Sequence, residues 1–170
     1  MTVRTPAERM PRTAVVIVAS TRAAAGVADD RTGPVIAAWL AERGFDVIDP
    51  EVVADGLPVA DALHRALAGR PSVVITTGGT GVSPSDGTPE ATAPLLDREL
   101  PGFMEELRRR GAATTPTALL SRGLAGVSGS TLVVNLPGSA GGVRDGLGLL
   151  GEVLEHALDQ LAGGDHPAAG

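Results

Sequence analysis

The chain contains no cysteine and no lysine. The first absence excludes disulfides, zinc–thiolate sites and thiol nucleophiles. The second excludes Schiff-base chemistry and the lysine of a Walker phosphate loop, since all 14 basic residues are arginine. Aromatic residues make up 2% of the chain, with Trp39, Phe45 and Phe103 the sole examples. A single-strand nucleic-acid binder needs rings on which bases stack, and none are to be had here. The only basic run is Arg108-Arg109-Arg110, which reads as the polar face of a helix end. Against a net charge of −6 there is no basic stripe to neutralise a phosphate backbone, so nucleic acid is not an expected partner. No apolar stretch, Ala14 to Ala19 included, is long enough to span a bilayer, and no membrane association is expected. No apolar signal region opens the sequence, which makes the cytoplasm the expected location. His64, His156 and His166 lie far apart and match no metal-ligand spacing.

What is present is aliphatic. Apolar residues make up 43% of the 170, mostly Ala, Val and Leu, enough for one closely packed domain. The expected organisation is a flexible arm over 1–12, a single domain over 13–162 and a flexible tail over 163–170. Ala14 to Val18 and Ser72 to Thr77 are short runs rich in β-branched residues, as in parallel strands buried on both faces. Phe45 to Val53 alternates apolar with polar and reads as another strand. Leu124 to Val127 and Thr131 to Asn135 flank a Ser-Gly-Ser turn and read as a hairpin. Helices are expected from Pro34 to Arg43, from Pro58 to Ala68 and from Phe103 to Arg110, with Pro101-Gly102 as a break before the last. Val143, Leu147, Leu150, Leu154, Leu158 and Leu161 step by three and four along a final helix. Ser20 to Asp30 reads as a loop. Strands alternating with helices indicate an α/β fold, a three-layer α/β/α sandwich on a mostly parallel, mixed sheet.

Two loops carry the chemistry. The first, Gly78 to Gly87, holds four glycines and leaves the carboxyl end of a buried strand, where open α/β sheets bind ligands. Gly78, Gly79 and Gly81 let the backbone approach a ligand and turn its N–H groups into an anion-binding concavity, while Thr80, Ser83 and Thr88 add hydroxyls. Thr88 is placed to N-cap the next helix, with Pro89 and Glu90 in its first turn. The spacing matches neither a Walker loop nor a dinucleotide fingerprint. Asp86 inside such a loop reads either as a Mg²⁺ ligand or as the cap of a turn. The second loop, Asn135-Leu-Pro-Gly-Ser139, sits at the start of a long helix, where anions are favoured; it reads equally as an ordinary connection. Asp55, after the second strand, is either a rim carboxylate or a turn residue. Asp29-Asp30 reads as a cation pair or a solvated loop. Ser20, Thr21 and Arg22 follow the first strand, within reach of a phosphate or a polar ring.

In these loops the sequence resembles the MoaB/Mog family of molybdenum-cofactor biosynthesis proteins, from about Val15 to Leu161. The motifs that carry the resemblance are Thr76 to Thr92, Leu96 to Phe103, Leu120 to Arg122 and Asn135 to Gly141. The resemblance implies a Mg²⁺-dependent molybdopterin adenylyltransferase, which moves AMP from ATP to the terminal phosphate of molybdopterin and releases pyrophosphate. It implies Asp55 and Asp86 as the catalytic and metal-organising residues. Substrate contacts carried over by position are Ser20, Thr21, Gly78, Gly79, Thr80, Gly81, Ser83, Thr88, Glu90, Asn135, Pro137, Gly138 and Ser139. It also implies a homo-oligomer, a trimer or a dimer of trimers, and other proteins of the same pathway as partners. Thr21 stands where the family commonly has Asp, Ser85 where Arg is common, and Ala140 where Pro is frequent. Two alternatives stay open: a non-catalytic carrier of molybdopterin or finished cofactor, and a pyridine-nucleotide or ADP-ribose hydrolase on a related domain.

Overall fold

A computed structural model of the chain describes residues 11–164. Most of the expected arm and tail, residues 1–10 and 165–170, lies outside the described residues. Arg12, at the edge of that arm, donates to both carboxylate oxygens of Glu155 at 2.8 and 2.7 Å.

The strands are β1 (Thr13–Ala19), β2 (Asp46–Val47), β3 (Glu51–Val53), β4 (Val73–Thr77), β5 (Arg98–Glu99), β6 (Ala125–Ser128) and β7 (Thr131–Leu136). The helices are α1 (Thr21–Ala24), α2 (Gly33–Ala41), α3 (Leu57–Ala68), α4 (Thr88–Thr92), α5 (Pro101–Ala112) and α6 (Ala140–Leu161). Among the described residues the strands form one seven-stranded sheet in the order β2-β1-β4-β7-β6-β5, with β3 beside β2 on the same edge of β1. The central trio β1, β4 and β7 is parallel, while β6 and β5 are antiparallel additions. The sheet is therefore mixed and mostly parallel, as the β-branched runs and the hairpin indicate.

Strand periodicity sorts the core into two layers. Ala14, Val16, Val73, Ile75, Leu132 and Val134 pack with α2, α5 and α6 on one face. Ile17, Ala19, Val74 and Val133 pack with α3 on the other, where Ala91 of α4 joins them. The α6 stripe behaves as its spacing demands: Val143, Leu147, Leu150, Leu154 and Leu158 are all buried. Each fully buried leucine contributes about 1.5–3 kcal/mol.

Several local readings are corrected. Phe45 to Val53 is not one strand but two fragments, because Pro50 offers no N–H to a ladder and parts β2 from β3. The loop after β1 contains α1, N-capped by the Ser20 hydroxyl, which accepts from Ala23 N at 3.1 Å. Pro101 and Gly102 open α5 instead of breaking a helix, since proline is accommodated in a first turn where N–H partners are lacking anyway. Thr88 is the first residue of α4 and Gly87 its cap; the Thr88 hydroxyl donates instead to Gly78 O at 3.0 Å. The arginine run does more than face solvent. Arg109 and Arg110 both hold Glu106, and Arg110 reaches across to Glu152, tying α5 to α6 at 2.7 Å.

Asn135 is fully buried on the α3/α4 side of β7. Its Nδ2 donates to Thr76 Oγ1 at 3.0 Å and Thr92 Oγ1 at 3.1 Å, and its Oδ1 accepts from Leu124 N at 3.0 Å. One side chain thus pins α4 and the entry to β6 onto the sheet. Asn135→Leu strands these buried groups, at about 1–3 kcal/mol for an unsatisfied group; a urea midpoint that falls by the equivalent of about 2–4 kcal/mol is expected. The Glu106 clasp gives a pH signature. Hydrogen bonds from Arg109 and then Arg110 draw its carboxyl down to about 2 from 4.5. A lowered folded value means that the contribution is fully present above the ordinary carboxylate value and is lost as pH falls through about 2. The stability gap between wild type and Glu106→Gln is therefore expected to be flat down to about pH 5 and to close below it, as read by urea midpoints at successive pH values.

Candidate functional site

Because β1, β4 and β7 run parallel, the loops that leave their carboxyl ends meet on one rim. After β4 the chain turns to α4 on one face of the sheet; after β7 it turns to α6 on the other. Neighbouring strands whose connections diverge in this way leave a crevice between them, the usual ligand position in open α/β sheets. The floor of this crevice is a contact of backbone on backbone. A Cβ on Gly138 would lie 3.2 Å from Gly78 Cα, and one on Gly78, at φ +90°, would overlap the Ala19 carbonyl oxygen. Gly78 is thereby confined to glycine, and a side chain at Gly138 would crowd the contact.

On either side of that contact lies a cavity. The larger, about 560 Å³, is lined by Gly78 to Gly81, Asp86, Pro137 to Ser139, the start of α6 and a wall from Thr114 to Ser121. The smaller, about 300 Å³, is lined by Ser20, Asp29 to Thr32, Thr77, Gly78 and Gly138. Gly78 and Gly138 line both.

The loop after β4 is polarised. The Gly78 carbonyl accepts from the Thr88 hydroxyl, and the Gly79 carbonyl accepts from Thr88 N at 3.0 Å. The N–H groups of Gly79, Thr80 and Gly81 make no hydrogen bond among the described residues. Those of Gly138 and Ser139 are unengaged as well, and the Ser139 hydroxyl caps α6 through Gly142 N at 3.1 Å. Two sets of unpaired donors thus line one cavity, an arrangement suited to anionic oxygens. Arg144 is the one cationic side chain lining that cavity, and it has no ion pair among the described residues.

The two acidic candidates differ. Asp86 lines the larger cavity, and its Oδ2 accepts from Ser83 N at 3.0 Å, so it caps the turn and faces the cavity as well. Asp55 is held by Thr21, whose N and Oγ1 donate to Asp55 Oδ2 at 3.1 and 2.8 Å, while Asp55 N donates back to Thr21 Oγ1 at 3.1 Å. Each carboxylate keeps its Oδ1 free of hydrogen bonds among the described residues. A Cβ on Gly79 would lie 3.1 Å from Asp55 Oδ1, and one on Gly81 2.8 Å from Asp86 Oδ2. The two acids therefore flank the same stretch of loop.

The remaining candidates divide. Gly78 to Gly81, Pro137, Gly138 and Ser139 converge on the larger cavity, and Ser20 on the smaller. Thr88 and Asn135 are buried, with their side chains engaged inside the fold. Ser83 contributes its backbone N–H to Asp86 and lines neither cavity. Glu90 pairs with Arg122, whose hydrogen bond holds the Glu90 carboxyl below the usual carboxylate range. Sequence reasoning missed the Thr114 to Ser121 wall, Arg144 and Asp145. A cation one turn into the helix after the second loop was the available signal for Arg144, and the Leu120 to Arg122 motif was the signal for the end of the wall; Thr114 to Ala118 have none, because they reach the site only through the packing of α5.

The family model described as "Probable molybdopterin binding domain" matches residues 15–156. A molybdenum cofactor biosynthesis bifunctional protein of Synechococcus elongatus is 39% identical over 154 residues, which is 90% of this chain and 48% of that protein. The chain thus spans about half the length of this bifunctional relative. A molybdopterin adenylyltransferase of Helicobacter pylori is 35% identical over 155 residues, 87% of this chain and 86% of its own length. The solved structure of the molybdopterin biosynthesis Mog protein from Mycobacterium ulcerans is 55% identical in sequence and superposes with a TM-score of 0.85 over 88% of this chain and 99% of that one. With a three-layer fold, two glycine loops at one switch point and a family match over most of its length, the chain belongs to the molybdopterin-binding domain family, among the MoaB and Mog proteins of molybdenum-cofactor biosynthesis.

Proposed function

We propose that the chain is a molybdopterin adenylyltransferase that transfers AMP from ATP to the terminal phosphate of molybdopterin and releases pyrophosphate. The observation that carries this reading is the pair of unpaired N–H sets, from Gly79 to Gly81 and at Gly138 and Ser139, lining one cavity together with Asp86 and Arg144. A polyphosphate with a second phosphate beside it is a ligand that uses all of them. The adenylyltransferase relative supports the reaction type.

In the reaction a molybdopterin phosphate oxygen attacks the α-phosphorus of ATP. A new P–O bond forms as the bond to the β-phosphate oxygen breaks, and pyrophosphate carries away the electron pair. The nucleophile is already an ionised phosphate, so no base is needed. This suits a site in which neither His64 nor His156 lines the cavity. Catalysis then consists of placing two anions in line and stabilising the charge on the oxygens with fixed donors. Backbone N–H groups supply directed hydrogen bonds, and the Arg144 guanidinium offsets the repulsion between the phosphates.

Mg²⁺ fits this site as a cation that arrives with its nucleotide. Among the described residues no group of three or more His, Asp or Glu side chains forms a cage. Mg²⁺ takes one or two carboxylates and fills its other positions with phosphate and water oxygens. Asp86, which lines the larger cavity with one oxygen unengaged, would hold it; Asp55 lines neither cavity and would approach it only past the Gly79 edge of the loop; when bound, the cation would neutralise phosphate charge. A homo-oligomer in the cytoplasm belongs to the same proposal; no helix among the described residues is long and apolar enough to cross a membrane.

The test is pyrophosphate release from Mg-ATP with and without molybdopterin, in wild type and Asp86→Asn. Asn keeps an acceptor for Ser83 N, removes the charge and replaces the other oxygen by an NH2 that cannot ligate a cation. Release that requires molybdopterin and falls on the order of 100-fold in the variant is expected. The Thr21–Asp55 pairing favours one other reading, because it engages an oxygen that could otherwise bind a cation. In that reading the chain carries molybdopterin without nucleotide chemistry, and molybdopterin binds with no release of pyrophosphate.

A further inference from the structure

Arg122 lies outside both cavities, yet it touches the β4–α4 loop in more places than any other residue. Its backbone N donates to Thr80 O at 2.7 Å. Its Nε donates to Gly81 O at 2.8 Å and its Nη2 to Asp86 O at 3.1 Å. Its Nη1 pairs with Glu90 at the start of α4. Ser121 adds a bond from its hydroxyl to Thr80 Oγ1 at 3.2 Å, and Arg108 holds Ser121 O at 3.1 Å.

These bonds form a pattern. The carbonyls of Gly78 and Gly79 are taken by Thr88, that of Ser83 by Asp86 N, and those of Thr80, Gly81 and Asp86 by Arg122 alone. A carbonyl shares its peptide with the N–H of the following residue, so Thr88 orients the amides of Gly79 and Thr80 and the Arg122 main-chain N that of Gly81, while the Arg122 guanidinium fixes the Gly81 and Asp86 carbonyls; the N–H groups of Gly79, Thr80 and Gly81 have no partner among the described residues. A glycine-rich loop has no intrinsic preference for this arrangement, since each peptide can turn over at little steric cost. A carbonyl turned into the cavity would repel phosphate where an N–H attracts it.

We propose that the Arg122 guanidinium is a positioning group for the far half of the glycine loop: it keeps the Gly81 carbonyl turned away from the cavity and holds the Asp86 backbone in place, while Thr88 orients the amides of Gly79 and Thr80, and Glu90 fixes the angle of the guanidinium. The planar fork suits this task because it reaches two carbonyls and a carboxylate at once, which an ammonium on a flexible stem does not. Glu90 then acts on the ligand only through Arg122. This inference rests on the reading of the larger cavity as a phosphate site.

The test compares the full chain with Arg122→Gln, Arg122→Lys and Glu90→Gln. Three quantities are measured: backbone amide shifts of Gly81, Val82 and Gly87 without ligand, the Kd for inorganic pyrophosphate, and KM and kcat for Mg-ATP. In Arg122→Gln the unliganded loop amides are expected to shift, the pyrophosphate Kd to weaken about tenfold and the KM for ATP to rise alongside it, with kcat within about threefold. Arg122→Lys and Glu90→Gln fall between, and both report on the loop even if Arg122→Gln does not fold. Unmoved loop amides and wild-type pyrophosphate affinity in these variants overturn the proposal. So does an affinity loss that only follows the loss of folded protein. If wild type itself binds no pyrophosphate while the variants still shift the loop amides, the phosphate reading of the cavity fails and Arg122 keeps only its hold on the loop.

Discussion

The contact between Gly78 and Gly138 is the constraint on which the rest of the site depends. Parallel β4 and β7 deliver their carboxyl ends side by side, in the register Thr77 with Leu136. Their loops then part to opposite faces of the sheet. Where the loops diverge their backbones lie close together: a side chain at Gly78 would overlap the Ala19 carbonyl, and one at Gly138 would crowd Gly78. The contact is also the saddle between the two cavities, so two ligands bound on either side would be separated by little more than backbone.

The site is built mostly from backbone. Its charged members are few: Asp86, Arg144 and Asp145 line the larger cavity. Such a site needs side chains behind the loops to hold the backbone in place. Asn135 and Thr88 do so from the buried side. Residues that contact no ligand can therefore matter as much as those that do, and the same motif mixes both kinds.

That mixture explains what was legible in the sequence. The parallel core strands, the hairpin, the α6 stripe and the two glycine loops were readable, because periodicity and glycine spacing act locally. The division of β2 from β3 turned on Pro50, where the alternating pattern outweighed a proline that should have counted against a single strand. Within the loops, residue type showed the chemistry but not the direction of each side chain. Asn135 resembles a ligand contact until the register places it beside Thr76, facing α4. Thr88 has the residue type of an N-cap, yet the tight turn at Gly78 brings a carbonyl within its reach. Arg144 and the Thr114 to Ala118 stretch of the wall come to the cavity through tertiary packing, which no local pattern records.

The most direct test of the account is a crystal structure of the protein with Mg²⁺ and a non-hydrolysable ATP analogue. The account predicts phosphate oxygens within hydrogen-bond distance of the Gly79 to Gly81 amides, with the nucleotide in the crevice between β4 and β7. A nucleotide seated elsewhere, or one whose phosphates leave those amides unengaged, would contradict it.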